Sequence, residues 1–291
     1  MPGVQGTGVV VLAAAVAGCS AGLESRIERV RRLEARYLAR QGHERAEQGD
    51  MRGAARAYAA ALAADPGLVA LHLHLGYAYE RLGNALALTD PAREEALRRA
   101  AVCHRLAADS EPALRRHALL RLAGIHGPAS LGELGLLEGD LAELVKLDAP
   151  EADWFLALAR LREDRQRLDE SEAALLAARE VLPHAAVVHR ELARFYRRHE
   201  RFDAFFAVLE RRLESEPDDR DALHALVEGC FYRGFRDYRV GGDARRASVR
   251  RGIVAAERLL HLEPEHAEAR RYLDLLSRVR EGLEAGRDPR P

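Results

Sequence analysis

The feature that most narrows what this chain can become is a period. Pro183 and Pro217 stand 34 residues apart, and the segments EADWFLALARLREDRQRLDESEAALLAAREVLPHA (151–185) and AVVHRELARFYRRHERFDAFFAVLERRLESEPDD (186–219) carry apolar residues at matching offsets. A unit of that length cannot bury its own apolar face, so it must stack on neighbouring copies. In the second segment Leu192, Ala193 and Tyr196 fall on one expected helix, Phe202 marks a turn, and Leu209 and Leu213 fall on a second helix. Composition agrees: the chain is rich in Ala, Leu, Arg and Glu, and only 5% of it is aromatic. Those residues favour helix and offer little to a sheet, so an all-α fold is expected.

The offsets resemble the tetratricopeptide repeat (TPR), a helix–turn–helix of 34 residues with small, aromatic and Pro positions at set places. A further copy, RAEQGDMRGAARAYAAALAADPG, has Gly49-Asp50 at the turn, Ala54 and Tyr58 on the second helix, and Asp65-Pro66 at its close. In LHLHLGYAYERLGN, Leu75, Gly76 and Tyr79 match the first helix of the motif, the glycine letting two helices approach closely. Closing prolines at 66, 112, 150, 183, 217 and 264 divide the chain into six units of about 35–68, 69–114, 115–151, 152–185, 186–219 and 220–266. Extra residues are expected as insertions at 84–95 and 235–248, and the third unit, with GPASLGELGLLEGD, is degenerate. A capping helix over 267–285 and a disordered tail over 286–291 complete the reading. Leu23, Ile27, Val30 and Leu33 have near-helical spacing, so the helical part starts by residue 24, well before the first motif. The resemblance implies a right-handed superhelical solenoid of antiparallel helix pairs with an inner groove. A helical array of another repeat class is the alternative.

Residues 1–22 carry no charge, and Val9 to Ala17 are uninterrupted apolar residues. Such a run is too short for a hydrocarbon core of roughly 30 Å, which takes about 20 helical residues. It has the length of the apolar region of a secretion signal. Val16-Ala17-Gly18-Cys19 resembles the lipobox of bacterial lipoproteins. That resemblance implies a signal over 1–18, cleavage before Cys19, a thioether-linked diacylglycerol on its sulfur with further acyl chains such as palmitate, and a short lipidated linker over 19–23. Ser20, which is not Asp, implies sorting to the outer membrane, facing the periplasm. An ordinary secretion signal with a coincidental cysteine is the plainer alternative.

Chemistry-bearing motifs are scarce. There is no phosphate-binding glycine loop, G-x-S-x-G or H-E-x-x-H. His72 and His74, two apart on a helix, do not face one way, and the pairs His184/His189 and His261/His266 lack zinc-site spacing. Cys103 and Cys230 fall in non-neighbouring units and read as buried free thiols. Arg-Arg-Ala-Ser, ending at Ser248, reads as part of a solvated insertion. No catalytic residue, metal or cofactor is expected beyond the lipid on Cys19. The formal net charge of −1 provides no general pull toward nucleic acid.

In the repeat family the first helix of each unit lines the groove. Carried onto this chain, those positions include Tyr77, Arg190, Arg194, Arg197, His224, Phe231 and Tyr232. Arg190, Arg194 and Arg197 follow i, i+4, i+7 and form one basic stripe. Guanidinium binds carboxylate bidentately, so stripe and aromatics suit an acidic or C-terminal peptide segment. The Lys and Asn of the family's carboxylate clamp are absent, and a solvated charged face is the plainer reading. The expected function is a lipid-anchored periplasmic scaffold for protein partners in a cell-envelope complex. The alternatives are a regulatory subunit or enzyme acting through the two insertions, and a soluble repeat adaptor.

Overall fold

The computed structural model describes residues 7–236 and 242–285, with side chains over 25–234 and 242–285. Among the described residues every regular element is helical, and two compact units, Met1–Pro150 and Glu151–Pro291, divide the chain. The first unit holds α1 (Thr7–Glu47), α2 (Met51–Ala64), α3 (Leu71–Asn84), α4 (Pro91–Ser110), α5 (Pro112–His126) and α6 (Leu134–Leu144). The second holds α7 (Ala152–Asp164), α8 (Leu168–Val181), α9 (Ala186–Arg198), α10 (Phe202–Ser215), α11 (Arg220–Phe231), α12 (Gly242–Leu262) and α13 (Ala267–Glu284). Successive helices pair as α1/α2, α3/α4 and α5/α6, then α7/α8, α9/α10 and α11/α12, with α13 packed on α11 and α12. No described helix is long and apolar enough to cross a membrane.

The turn inside a repeat demands a left-handed residue, and the sequence supplies it periodically. Gly49, Gln166 and Glu200 all have positive φ (83°, 61° and 53°), each at the fifteenth place of its unit. Glycine takes that conformation without strain, whereas an L side chain there costs on the order of 1–2 kcal/mol. After Gly49, the carboxylate of Asp50 caps α2 by accepting from the Gly53 N–H at 2.8 Å. Asp90 and Asp219 cap α4 and α11 in the same way.

The eighth place of the unit is where the two helices of a pair touch. A Cβ built on Gly76 would lie 2.7 Å from the fully buried His104 ring of α4, and one on Gly42 would meet Tyr58 of α2 at 2.5 Å. Where the facing residues leave room, the same place holds Ala159 and Ala193. Around these contacts the first unit buries Ala54, Tyr58, Ala61, Leu71 and Leu75. The second buries Leu192, Phe195, Phe205, Phe206 and Leu223 almost completely.

The extra residues of the second and sixth units are not loop insertions, as expected from sequence. They mostly lengthen the second helix: α4 has 20 residues and α12 has 21, against 14 in α2, α8 and α10. Only 85–90 connect α3 to α4, while a π-helical turn, Tyr232–Arg236, follows α11 and 237–241 lie outside the described residues. Ser248 is correspondingly not solvated. It is 1% exposed on α12, and its Oγ donates to the Ala244 carbonyl at 3.0 Å. At the other end α1 passes as helix through 19–23, the stretch expected as a linker. The side chain of Cys19 and the tail 286–291 lie outside the described residues.

Candidate functional site

The predicted groove residues separate into three places. On α9, Val188, Leu192, Phe195 and Tyr196 are buried, which turns Arg190, Arg194 and Arg197 outward toward α11. These arginines and His224 of α11 line one concavity of about 540 Å³, with Ala193 and Ala225 among its apolar contacts. Phe231 and Tyr232 are not in it. Phe231 packs beside Val249, Ile253 and Leu276, its ring 5.0 Å from Tyr272, and Tyr232 stacks on Phe202 at 5.4 Å. Phe231 closes α11, and Tyr232 opens the π-helical turn over 232–236 that follows it. Tyr77 belongs to the first unit, where the Arg121 guanidinium covers its ring at 5.6 Å.

The arginine stripe is also not an open basic surface. Arg190 meets Asp221 at 3.5 Å, and Arg197 is paired with Glu228 of the same helix, α11. Arg194 meets Glu191 at 2.8 Å; Glu191, 6% exposed, also holds Arg160 of α7 at 3.2 Å. The pairs Arg160–Glu191, Arg190–Asp221 and Arg197–Glu228 share one separation, 31 residues, because first helices of successive repeats lie side by side. His224 contacts Glu268 at 3.0 Å and its ring lies 5.2 Å from His266. At the inner end Arg212, nearly buried, holds Asp219 at 2.7 Å. Burial would raise the Asp219 carboxyl, but the Ala222 N–H and Arg212 outweigh it and hold it below the usual carboxylate value.

The site is thus a cleft of mixed charge in which Arg190, Arg197 and His224 are held by exposed carboxylates and Arg194 by the buried Glu191. Exposed ion pairs contribute roughly 0–1 kcal/mol each, so a carboxylate-bearing guest can exchange with them at little cost. Cys103 and Cys230 are free and buried, their thiols pushed up by burial to about 11 and about 12, which keeps them protonated and unreactive. Among the described residues no group of three or more His, Cys, Asp or Glu could hold a metal ion.

Sequence reasoning missed a polar network in the degenerate third unit. Asp140 of α6, 1% exposed, accepts from His126 Nδ1 at 2.6 Å and from Arg105 of α4 at 2.5 Å. Glu143, one turn on, binds Arg105 and Arg115 at 2.8 and 2.9 Å. Burial raises its carboxyl, but the two arginines prevail and leave it below its ordinary value. The glycine-rich sequence of α6 gives no hint of this, because the partners come from α4 and α5.

No protein-family model matches the chain, and comparison with curated proteins found no match. Solved structures do match. The C-terminal part of a TPR repeat-containing protein from Cytophaga hutchinsonii is 13% identical, with a TM-score of 0.50 over 82% of this chain and 87% of that one. The fold is the tetratricopeptide-repeat fold. A TPR protein from Parabacteroides merdae (14% identity, TM-score 0.43) covers 84% of this chain and 99% of its own. The MamA protein (21% identity, TM-score 0.42) covers 63% and 92% respectively. The TPR helix pairs are what bring α9 and α11 together and so form the concavity.

Proposed function

We propose that this chain is a membrane-anchored TPR scaffold that holds a protein partner through a carboxylate-bearing peptide segment. The observation that carries the reading is the α9/α11 cleft, where Arg190, Arg194, Arg197 and His224 converge and the carboxylate partners of Arg190, Arg197 and His224 are exposed enough to be displaced. A peptide with acidic side chains or a terminal carboxylate takes over those guanidinium contacts bidentately, and Ala193 and Ala225 admit its backbone. The lipobox-like Val16-Ala17-Gly18-Cys19 supplies the anchor, a lipid on Cys19 at the outer membrane, so the cleft serves partners in the periplasm.

A photo-cross-linker at Ala225 in intact cells tests the cleft. A discrete adduct that is lost in Arg190→Glu/Arg194→Glu, with helicity unchanged, supports the reading; undiminished adduct yield removes it. Fractionation of cells carrying Cys19→Ala tests the anchor, and an equally soluble parent protein ends that part of the proposal.

A further inference from the structure

Residues 25–34 of α1 are all exposed, ten consecutive positions before Ala35, the first buried one among the described side chains. This part of α1 therefore stands clear of α2. Ile27, Val30, Leu33 and Tyr37 lie on it at 45%, 63%, 61% and 63% exposure. Their spacing of three, three and four residues puts them on one side of the helix, away from the side that Ala35 and Gly42 press on α2. A helical segment with an uncovered apolar stripe is marginal in water by itself, so this face is suited to a cover.

The charges around the stripe say which cover. Between Ser25 and Arg40 there are six arginines (26, 29, 31, 32, 36 and 40) against Glu28 and Glu34, in a chain whose overall net charge is only −1. The positive charge is concentrated where the apolar residues are exposed. An amphipathic helix with an arginine-rich polar surface and aliphatic and Tyr residues on the other lies in the headgroup region of an anionic bilayer. We infer that the outer face of α1 over residues 26–40 is a membrane-surface helix, with Ile27, Val30, Leu33 and Tyr37 inserted among acyl chains and the arginines on anionic headgroups. The site is separate from the peptide cleft and does not require a lipid on Cys19.

The test uses the full chain carrying Cys19→Ala, so that acylation plays no part, together with Tyr37→Trp as a depth reporter. Trp154, the one natural tryptophan, is buried and supplies a constant background. With vesicles of phosphatidylcholine and phosphatidylglycerol, the new emission should shift to the blue and be quenched by brominated acyl chains. With phosphatidylcholine alone it should change far less. Adding Ile27→Asp and Val30→Asp should lower the vesicle-bound fraction about tenfold, since both positions are exposed and leave the fold intact. Unquenched emission, or quenching indifferent to anionic lipid, overturns the inference. So does a dimer in lipid-free solution that dissociates on Ile27→Asp/Val30→Asp, which would make a second copy the cover. Loss of the cross-link at Ala225 bears only on the cleft, so the two readings fail separately.

Discussion

Arg190 of α9 and Asp221 of α11 stand 3.5 Å apart across the cleft, 31 residues apart in the chain, and Arg197 and Glu228 repeat the relationship two turns on. The carboxylates compete with any acidic guest. Asp221→Asn/Glu228→Gln should therefore tighten binding of a fluorescent oligoglutamate probe about two- to fivefold. That is the equivalent of roughly 0.5–1 kcal/mol from exposed pairs. Fluorescence anisotropy at low salt checks it; unchanged or weaker binding would show that the arginines do not receive the probe.

Glycine substitutions should divide by what the new Cβ meets. Gly76→Ala pushes a methyl against the buried His104 ring and should destabilise the first unit by about 1–3 kcal/mol despite its gain in helix propensity. Gly124→Ala, on an exposed position of α5 with nothing within 4 Å, should stabilise by roughly 0.5–1 kcal/mol. Gln166→Gly, relieving the left-handed turn between α7 and α8, should also stabilise, by up to about 1 kcal/mol. Urea denaturation of the three variants gives both signs.

Removal of the Asp140 carboxylate should destabilise the first unit as well. Asp140→Ala leaves the buried His126 ring without its acceptor, while Arg105 keeps Glu143, a loss of about 1–3 kcal/mol. Hydrogen exchange should show it first as lost protection in α5 and α6.

The second unit should be acid-sensitive in a definite direction. Burial raises the carboxyls of Glu163 and Glu172, but Arg198 and His199 on the first, and Arg201 and Tyr196 on the second, outweigh it and hold both below 4.5. Each therefore binds fewer protons in the folded chain than in the unfolded one. Their stabilisation is complete above the unfolded value and lost as pH falls through the lower folded value. Between pH 6 and pH 3 the urea midpoint of the parent should drop further than that of Glu163→Gln/Glu172→Gln. Equal drops would mean that these pairs carry no linkage.

The helices, their pairing and the close-contact positions were legible because each has a local cause. Leu192 and Tyr196 share a face at helical spacing, Gly76 is the small residue the pair requires, and Gly49 announces a turn that Gln166 and Glu200 also make. The lengthened α4 and α12 were less legible: extra residues in a repeat count the same in a loop or a helix, and only packing against a neighbour decides between them.

Charge was the part that sequence could not resolve. The i, i+4, i+7 spacing of Arg190, Arg194 and Arg197 does determine that they share a helix face. It does not determine what stands opposite, since Asp221 and Glu228 arrive from the next repeat, just as Arg105 arrives at Asp140 from α4. Phe231 and Tyr232 left the cleft for the same kind of reason, contacts with Val249, Leu276 and Tyr272 for the first and with Phe202 for the second. Local periodicity sets which way a side chain leaves its own helix. Only the packing of separate helices sets its neighbours, and with them whether an arginine is free, paired or buried.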